Sequence, residues 1–187
     1  SNEFPQGTWV AWSRDVYDDG GRLVASRAYY MIPETGEGIA AANYNETTYR
    51  YDARGRINRT RSPGGTITRT TLDVLGRTTS TWVGTADVGA TDEDPGAGGG
   101  GNNMAPISSR TFSGDCACGQ PASETLYVDD DTAHDRVTDY TYDYRNRLVE
   151  IDGEESLYEA RTYDNLGHII QSERRIGSSS GTLISRQ

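Results

Sequence analysis

A seven-residue phrase recurs along the chain: Tyr-Asp, two variable residues, Gly, Arg and then an aliphatic. Tyr17-Asp18-Asp19-Gly20-Gly21-Arg22-Leu23 and Tyr51-Asp52-Ala53-Arg54-Gly55-Arg56-Ile57 are full copies. Leu72-Asp73-Val74-Leu75-Gly76-Arg77-Thr78 keeps the Asp, Gly and Arg. Tyr142-Asp143-Tyr144-Arg145-Asn146-Arg147-Leu148 has Asn in the Gly position, and Tyr163-Asp164-Asn165-Leu166-Gly167-His168-Ile169 has His in the Arg position. Asp52 and Asp73 are 21 residues apart, as are Asp143 and Asp164. A fixed period of this length is the mark of a repeat architecture, in which each unit buries its surface against its neighbours.

The chemistry of the phrase specifies a backbone conformation. Asp at the start of a turn accepts hydrogen bonds from the backbone ahead of it, and Gly three residues later supplies a positive φ. That combination is a hairpin turn closed by a bulge. Asn146 fits the same reading, because Asn is the side chain that best tolerates the left-handed region. The structural turn residues are therefore Asp18 and Gly21, Asp52 and Gly55, Asp73 and Gly76, Asp143 and Asn146, and Asp164 and Gly167. The flanks alternate as strands do, with Thr47, Tyr49 and Tyr51 on one face and Thr138, Tyr140 and Tyr142 likewise. Ser62-Pro63-Gly64-Gly65 and Asp152-Gly153 supply turn signals half a repeat away. The expected fold is all-β, a repetitive antiparallel β-hairpin meander with no helix of consequence.

Composition by itself points elsewhere. Few aliphatic residues and a net charge of -10 are the usual signature of disorder. Here 12 Tyr, 3 Trp and 21 Thr replace the missing aliphatics, and these residues suit a pleated, half-buried surface. All 18 basic residues are Arg, which stacks on aromatic rings and bridges carboxylates where Lys does not. The acids concentrate in the middle of the chain and no basic stripe exists, which argues against nucleic acid as a partner. No apolar run approaches the roughly 20 residues of a membrane span, so membrane insertion is not expected. Nor does the start carry a signal segment, and export would need one upstream of Ser1. Both ends read as cut from something longer.

Four segments follow from these signals. Residues 1–83 are repeat hairpins interrupted by a loop from Pro33 to Gly38, and 84–105 form a Gly- and Asp-rich acidic loop expected to be long and exposed. Residues 106–135 are a degenerate repeat with strands near Ser108–Phe112 and Glu124–Val128 and a Cys-x-Cys turn in Gly114–Pro121; 136–187 return to repeat hairpins.

These copies resemble the YD repeats of the RHS family, bacterial relatives of the teneurin extracellular region, with Tyr142–Leu148 and Tyr163–Ile169 the closest matches. The resemblance covers most of the chain outside the two loops. It implies a YD-repeat sheet curled as a segment of a shell or solenoid, in proteins that enclose a toxin domain or act in surface contact and glycan binding. A closed shell takes many more than five repeats, so this chain is expected to be one stretch of a wall or a subunit that associates.

Candidate sites are few. Cys116 and Cys118 read as a disulfide in or across their turn, as two free thiols, as a redox pair, or as a metal half-site with His134. Asp87, Asp92, Glu93 and Asp94 form one acidic cluster and Asp129, Asp130 and Asp131 another; Asp87, Asp92 and Asp94 are weak calcium candidates against a solvated acidic loop. His168 occupies an Arg slot beside a turn, and no nucleophile elbow, phosphate loop or zinc-protease signature is present. The expectation is a non-catalytic structural segment of a secreted or cell-surface protein, without a cofactor, whose partner is the rest of a larger repeat protein or copies of itself. The alternatives are an adhesion module holding a glycan on Trp9, Trp12 and Trp82, and a self-associating subunit of an extracellular filament.

Overall fold

The computed structural model describes residues 4–113, 119–153 and 157–187. The chain divides into two units, Ser1–Ala105 and Pro106–Gln187. In the first, strands β1 (Ser13–Tyr17), β2 (Leu23–Tyr29), β3 (Tyr44–Tyr51), β4 (Ile57–Arg61), β5 (Ile67–Leu72) and β6 (Thr78–Gly84) lie side by side in chain order. In the second, β7 (Ala105–Phe112), β8 (Pro121–Leu126), β9 (Arg136–Tyr142), β10 (Leu148–Gly153), β11 (Leu157–Tyr163), β12 (Ile169–Ile176) and β13 (Thr182–Arg186) do the same. Every strand pairing described within each unit is antiparallel, and neither unit's sheet closes on itself among the described residues. The helical content described is two 3-10 turns, Gln6–Thr8 and Thr132–His134.

Each Asp hairpin carries one extra residue on its return strand. Tyr51 pairs with Ile57 and Arg50 with Arg59, which leaves Asn58 over. The same slip leaves over Val24, Thr79, Val149 and Ile170 in the other four hairpins. A bulge turns two successive side chains towards one face. Asn58 and Arg59 thus both reach carboxylates of the 84–105 segment, and Thr79 and Ser80 both reach the Thr71 hydroxyl.

Little aliphatic surface is buried. In the first unit Ala25, Tyr44, Ile67 and Met104 are buried alongside Asp52, Asn58, Arg59, Arg69 and Thr71; in the second Tyr158 is buried beside Asp135 and Glu159. Buried polar groups need partners, and ion pairs, hydroxyl chains and aromatic contacts provide most of them. Trp12 stacks on Tyr29 at 3.9 Å, Tyr29 leans on Tyr44, and the Arg27 guanidinium lies over the Tyr44 ring.

One expectation needs correction. Asp152-Gly153 is not a turn: both residues lie in β10, paired with Tyr158 and Leu157 of β11 and with Asp139 and Thr138 of β9. The connection falls on 154–156, outside the described residues. Residues 85–104 form no strand or helix and more than half of them are exposed, but Asp87, Asp92 and Gly96 fold the segment back over β4, β5 and β6.

Candidate functional site

The five Asp turns are built alike. In the second, the Asp52 N–H donates to the Arg56 carbonyl and the Gly55 N–H to the Asp52 carbonyl. Asp52 Oδ1 accepts from the Arg54 and Arg56 N–H groups, and its Oδ2 accepts from Arg56 Nε at 2.7 Å. Asp18, Asp73 and Asp143 repeat this clamp with Arg22, Arg77 and Arg147, and at Asp164 the His168 Nδ1 lies 2.9 Å from Oδ2 in the Arg place. The residue ahead of the Arg or His has φ of 77° at Gly21, 78° at Gly55, 86° at Gly76, 60° at Asn146 and 92° at Gly167. Ser62 to Thr66 follows the same backbone pattern with Ser in the Asp place. Gly55→Val forces a β-branched residue into the left-handed region, although no atom stands in the way of a Cβ there. The expected cost is about 1–3 kcal/mol, read as a lower urea midpoint; an unchanged midpoint would remove the conformational argument.

The clamp holds all five carboxyls below the usual carboxylate range. At Asp18 and Asp52 the leading cause is the backbone N–H of the following Arg, and at Asp143 and Asp164 the side chain of Arg147 or His168. At Asp73 burial acts the other way and is outweighed by the bonds from Arg77. A carboxyl whose folded pKa lies below its unfolded value of 3.8 contributes stability that is fully present above that value and lost as pH falls through the folded one. Melting temperature should therefore begin its acid decline near pH 4. A decline that starts instead near pH 6.5, the range of histidine, would assign acid sensitivity to another group.

The same arginines reach beyond their own turn. Arg56 Nη1 donates to the Asp73 carbonyl at 2.7 Å and Arg54 Nη1 to the Val74 carbonyl, clipping the second turn to the third. In the second unit Arg147 and Arg145 clip the fourth turn to the Asp164 and Asn165 carbonyls of the fifth. The motif tyrosine answers in the opposite direction. Tyr51 Oη donates to the Leu23 carbonyl beneath the Arg22 guanidinium, and Tyr163 Oη donates to the Leu148 carbonyl beneath that of Arg147. Tyr, Asp and Arg of the repeat are thus largely spent on one another. The stacking of Arg on Tyr follows from the sequence; the bonds these side chains make to carbonyls of neighbouring turns and strands do not, although the 21-residue spacing pairs the right turns.

The 84–105 segment is a packed strap. Asp87 is 12% exposed and receives Arg59 through Nε at 2.6 Å and Nη2 at 3.1 Å, and Arg69 through Nη1 at 3.1 Å. These guanidiniums are each 8% exposed. They hold the Asp87 carboxyl below its usual range, Arg59 most strongly, against the opposing effect of burial. Asn58 Nδ2 donates to Asp92 Oδ1, and Arg69 Nη2 donates to the Thr91 carbonyl. Pro95 is fully buried, Gly96 lies against the Trp82 ring, and Asn102 donates to the carbonyls of Pro95 and Ala97. A cleft of about 400 Å³ opens beside the strap, lined in part by Arg54, Arg56, Asn58, Thr71, Asp92 and Glu93.

Solved structures share this fold. A crystal structure of TcdB2-TccC3-Cdc42 matches 93% of the chain with a TM-score of 0.60 and 19% identity. One of TcdB2-TccC3 without its hypervariable C-terminal region matches 87% at 0.57 and 21% identity. The Photorhabdus luminescens Tc holotoxin pore carrying TccC3-D651A matches 88% at 0.56 and 20% identity. The chain spans 7–8% of the length of these proteins. No family model matches the sequence, and no curated protein matches it.

The other candidate residues are scattered. Asp87 and Asp92 converge on the Arg69 guanidinium, at 3.1 and 3.7 Å, while Asp94 Oδ1 accepts from the Gly96 N–H, so the cation that two of the three calcium candidates share is an arginine. Among the described residues no group of three or more His, Cys, Asp and Glu could hold a metal ion. His134 Nδ1 sits 2.8 Å from Asp129 Oδ2 on the surface, while Asp131 Oδ1 caps the Ala133 N–H. Cys116 and Cys118 lie outside the described residues. Trp12 and Trp82 are engaged by Tyr29 and Gly96, while Trp9, set edge-on to Trp12, is 42% exposed.

Proposed function

We propose that this chain is a non-catalytic structural segment of a larger RHS/YD-repeat protein, a length of β-sheet wall that is secreted or displayed at a cell surface. The observation that carries the reading is the clip from the second turn to the third and from the fourth to the fifth: the arginines of these repeats hold hairpins together, which leaves them little capacity for chemistry on a substrate. The likeness in fold to pieces of much longer proteins, one of them a Tc holotoxin pore, supports a wall segment that functions within a larger assembly. No helix among the described residues is long and apolar enough to cross a membrane.

In the parent protein, His134→Ala and Glu93→Gln should leave both activity and melting temperature unchanged, because neither residue belongs to a clamp or clip. Loss of activity with the melting temperature intact would overturn the non-catalytic reading. The reading also requires no metal, so a chelator should not move the melting temperature; a clear drop on chelation would restore the calcium candidates.

A further inference from the structure

Among the described residues every arginine but two has an acidic, carbonyl or other partner. Arg50 in β3 and Arg61 in β4, both exposed, make no hydrogen bond, ion pair or ring contact with the described residues. They are close together. Arg50 stands opposite Arg59, and Thr48 stands opposite Arg61. Residues opposite one another in an antiparallel pair, and residues two apart along a strand, point to the same side of the sheet. Arg50, Thr48, Arg59 and Arg61 therefore share the face that the strap crosses.

Like charges placed directly opposite one another destabilise a sheet. Asp87 offsets Arg59, but no described residue offsets Arg50 or Arg61. Acids outnumber bases by ten in this chain, so two adjacent unpaired guanidiniums do not reflect a shortage of acids. Arg61 and Thr48 also line a cleft of about 170 Å³ with Tyr44, Ala41 and Glu46, whose carboxylate is held by Arg27. Ala41 has a φ of 61° in the tight turn that leads into β3. On the same face, the cross-strand pair Arg59 and Arg69 already holds a carboxylate from a chain segment lying over the sheet.

We propose that Arg50 and Arg61, with Thr48 between them, bind carboxylates of an acidic, extended peptide that crosses this face beside the strap. The planar guanidinium fork matches a carboxylate in shape and charge, and the Thr48 hydroxyl adds a donor. The rest of the molecule repels an acidic ligand, so binding is local, modest and sensitive to salt.

The test is fluorescence anisotropy of a labelled peptide of alternating Asp and Gly, titrated with the intact chain at low ionic strength. A peptide with Asn for Asp is the control and inorganic sulfate the competitor. The expected result is saturable binding of the Asp peptide, weakened by salt and at least ~10-fold weaker for the double variant Arg50→Gln and Arg61→Gln, a difference of about 1.4 kcal/mol. That variant should melt with the parent chain, since neither side chain has a partner to lose among the described residues. The proposal fails if the Asp peptide does not saturate, if the Asn peptide binds equally, or if the variant binds like the parent. It also fails if sulfate occupies the site as tightly as the peptide, which would make it a small-ion site.

Discussion

Asp87→Ala should lower the free energy of unfolding by about 3–5 kcal/mol, the range for removing one partner of a buried ion pair. The substitution leaves Arg59 and Arg69 nearly buried, side by side across two strands and without their shared carboxylate. Uncompensated charge accounts for most of that cost, so Asp87→Asn should be almost as damaging even though it keeps the shape. A triple variant with Arg59→Met, Arg69→Met and Asp87→Leu should recover much of the loss, because hydrophobic replacement removes the unpaired charges altogether. Urea unfolding followed by far-UV circular dichroism measures all three. A loss below about 1 kcal/mol for Asp87→Ala would place the pair with ordinary surface salt bridges and undo the description of the strap as pinned.

Gly98→Ala should cost a comparable amount for a steric reason. A Cβ at Gly98 would lie 2.2 Å from the Val88 carbonyl oxygen and 2.8 Å from the Gly89 Cα, with φ at 107°. Both obstacles are backbone, so no side-chain rotation relieves them. Backbone strain of about 1–3 kcal/mol adds to an overpacking cost of similar size, about 2–6 kcal/mol together. The neighbouring glycines are internal controls. Gly100→Ala meets no atom within 4 Å and has no positive φ, so it should stay within about 0.5 kcal/mol of the parent. Gly99→Ala, at 63° and unobstructed, should fall between them. Equal melting temperatures for Gly98→Ala and Gly100→Ala would show that the strap does not close on itself at Gly89 and Gly98.

The Asp turns can be read from sequence because their clamps close within four residues: Asp52 needs only the backbone and side chain of the residues up to Arg56. Strand order follows from the turns, since short reversals lay each strand beside its predecessor. The strap is different. Asp87 lies 28 residues from Arg59 and 18 from Arg69, and no local rule links them. Gly- and Asp-rich sequence reads as solvated when the arginines beneath it are not in view. A signal was nonetheless present: Ile67, Arg69 and Thr71 alternate with less buried residues along β5, so a charge points to the buried side and requires a counterion. Asp152-Gly153 misleads for the opposite reason. Its turn chemistry is real, but strand pairing on both sides of β10 continues through Gly153 and overrides it.

Within each unit, hairpin connections alternate between two borders of the sheet, and the clips between turns make those borders unequal. Wherever a clamped turn is fastened to its neighbour, adding even one residue would break the reach from Arg56 to Asp73 or from Arg147 to Asp164. In the first unit residues 30–43, and in the second residues 127–135, connect strands on the other border. Length can change there without disturbing the fastened rim, so each unit has one margin held at fixed spacing and one whose connections tolerate insertion.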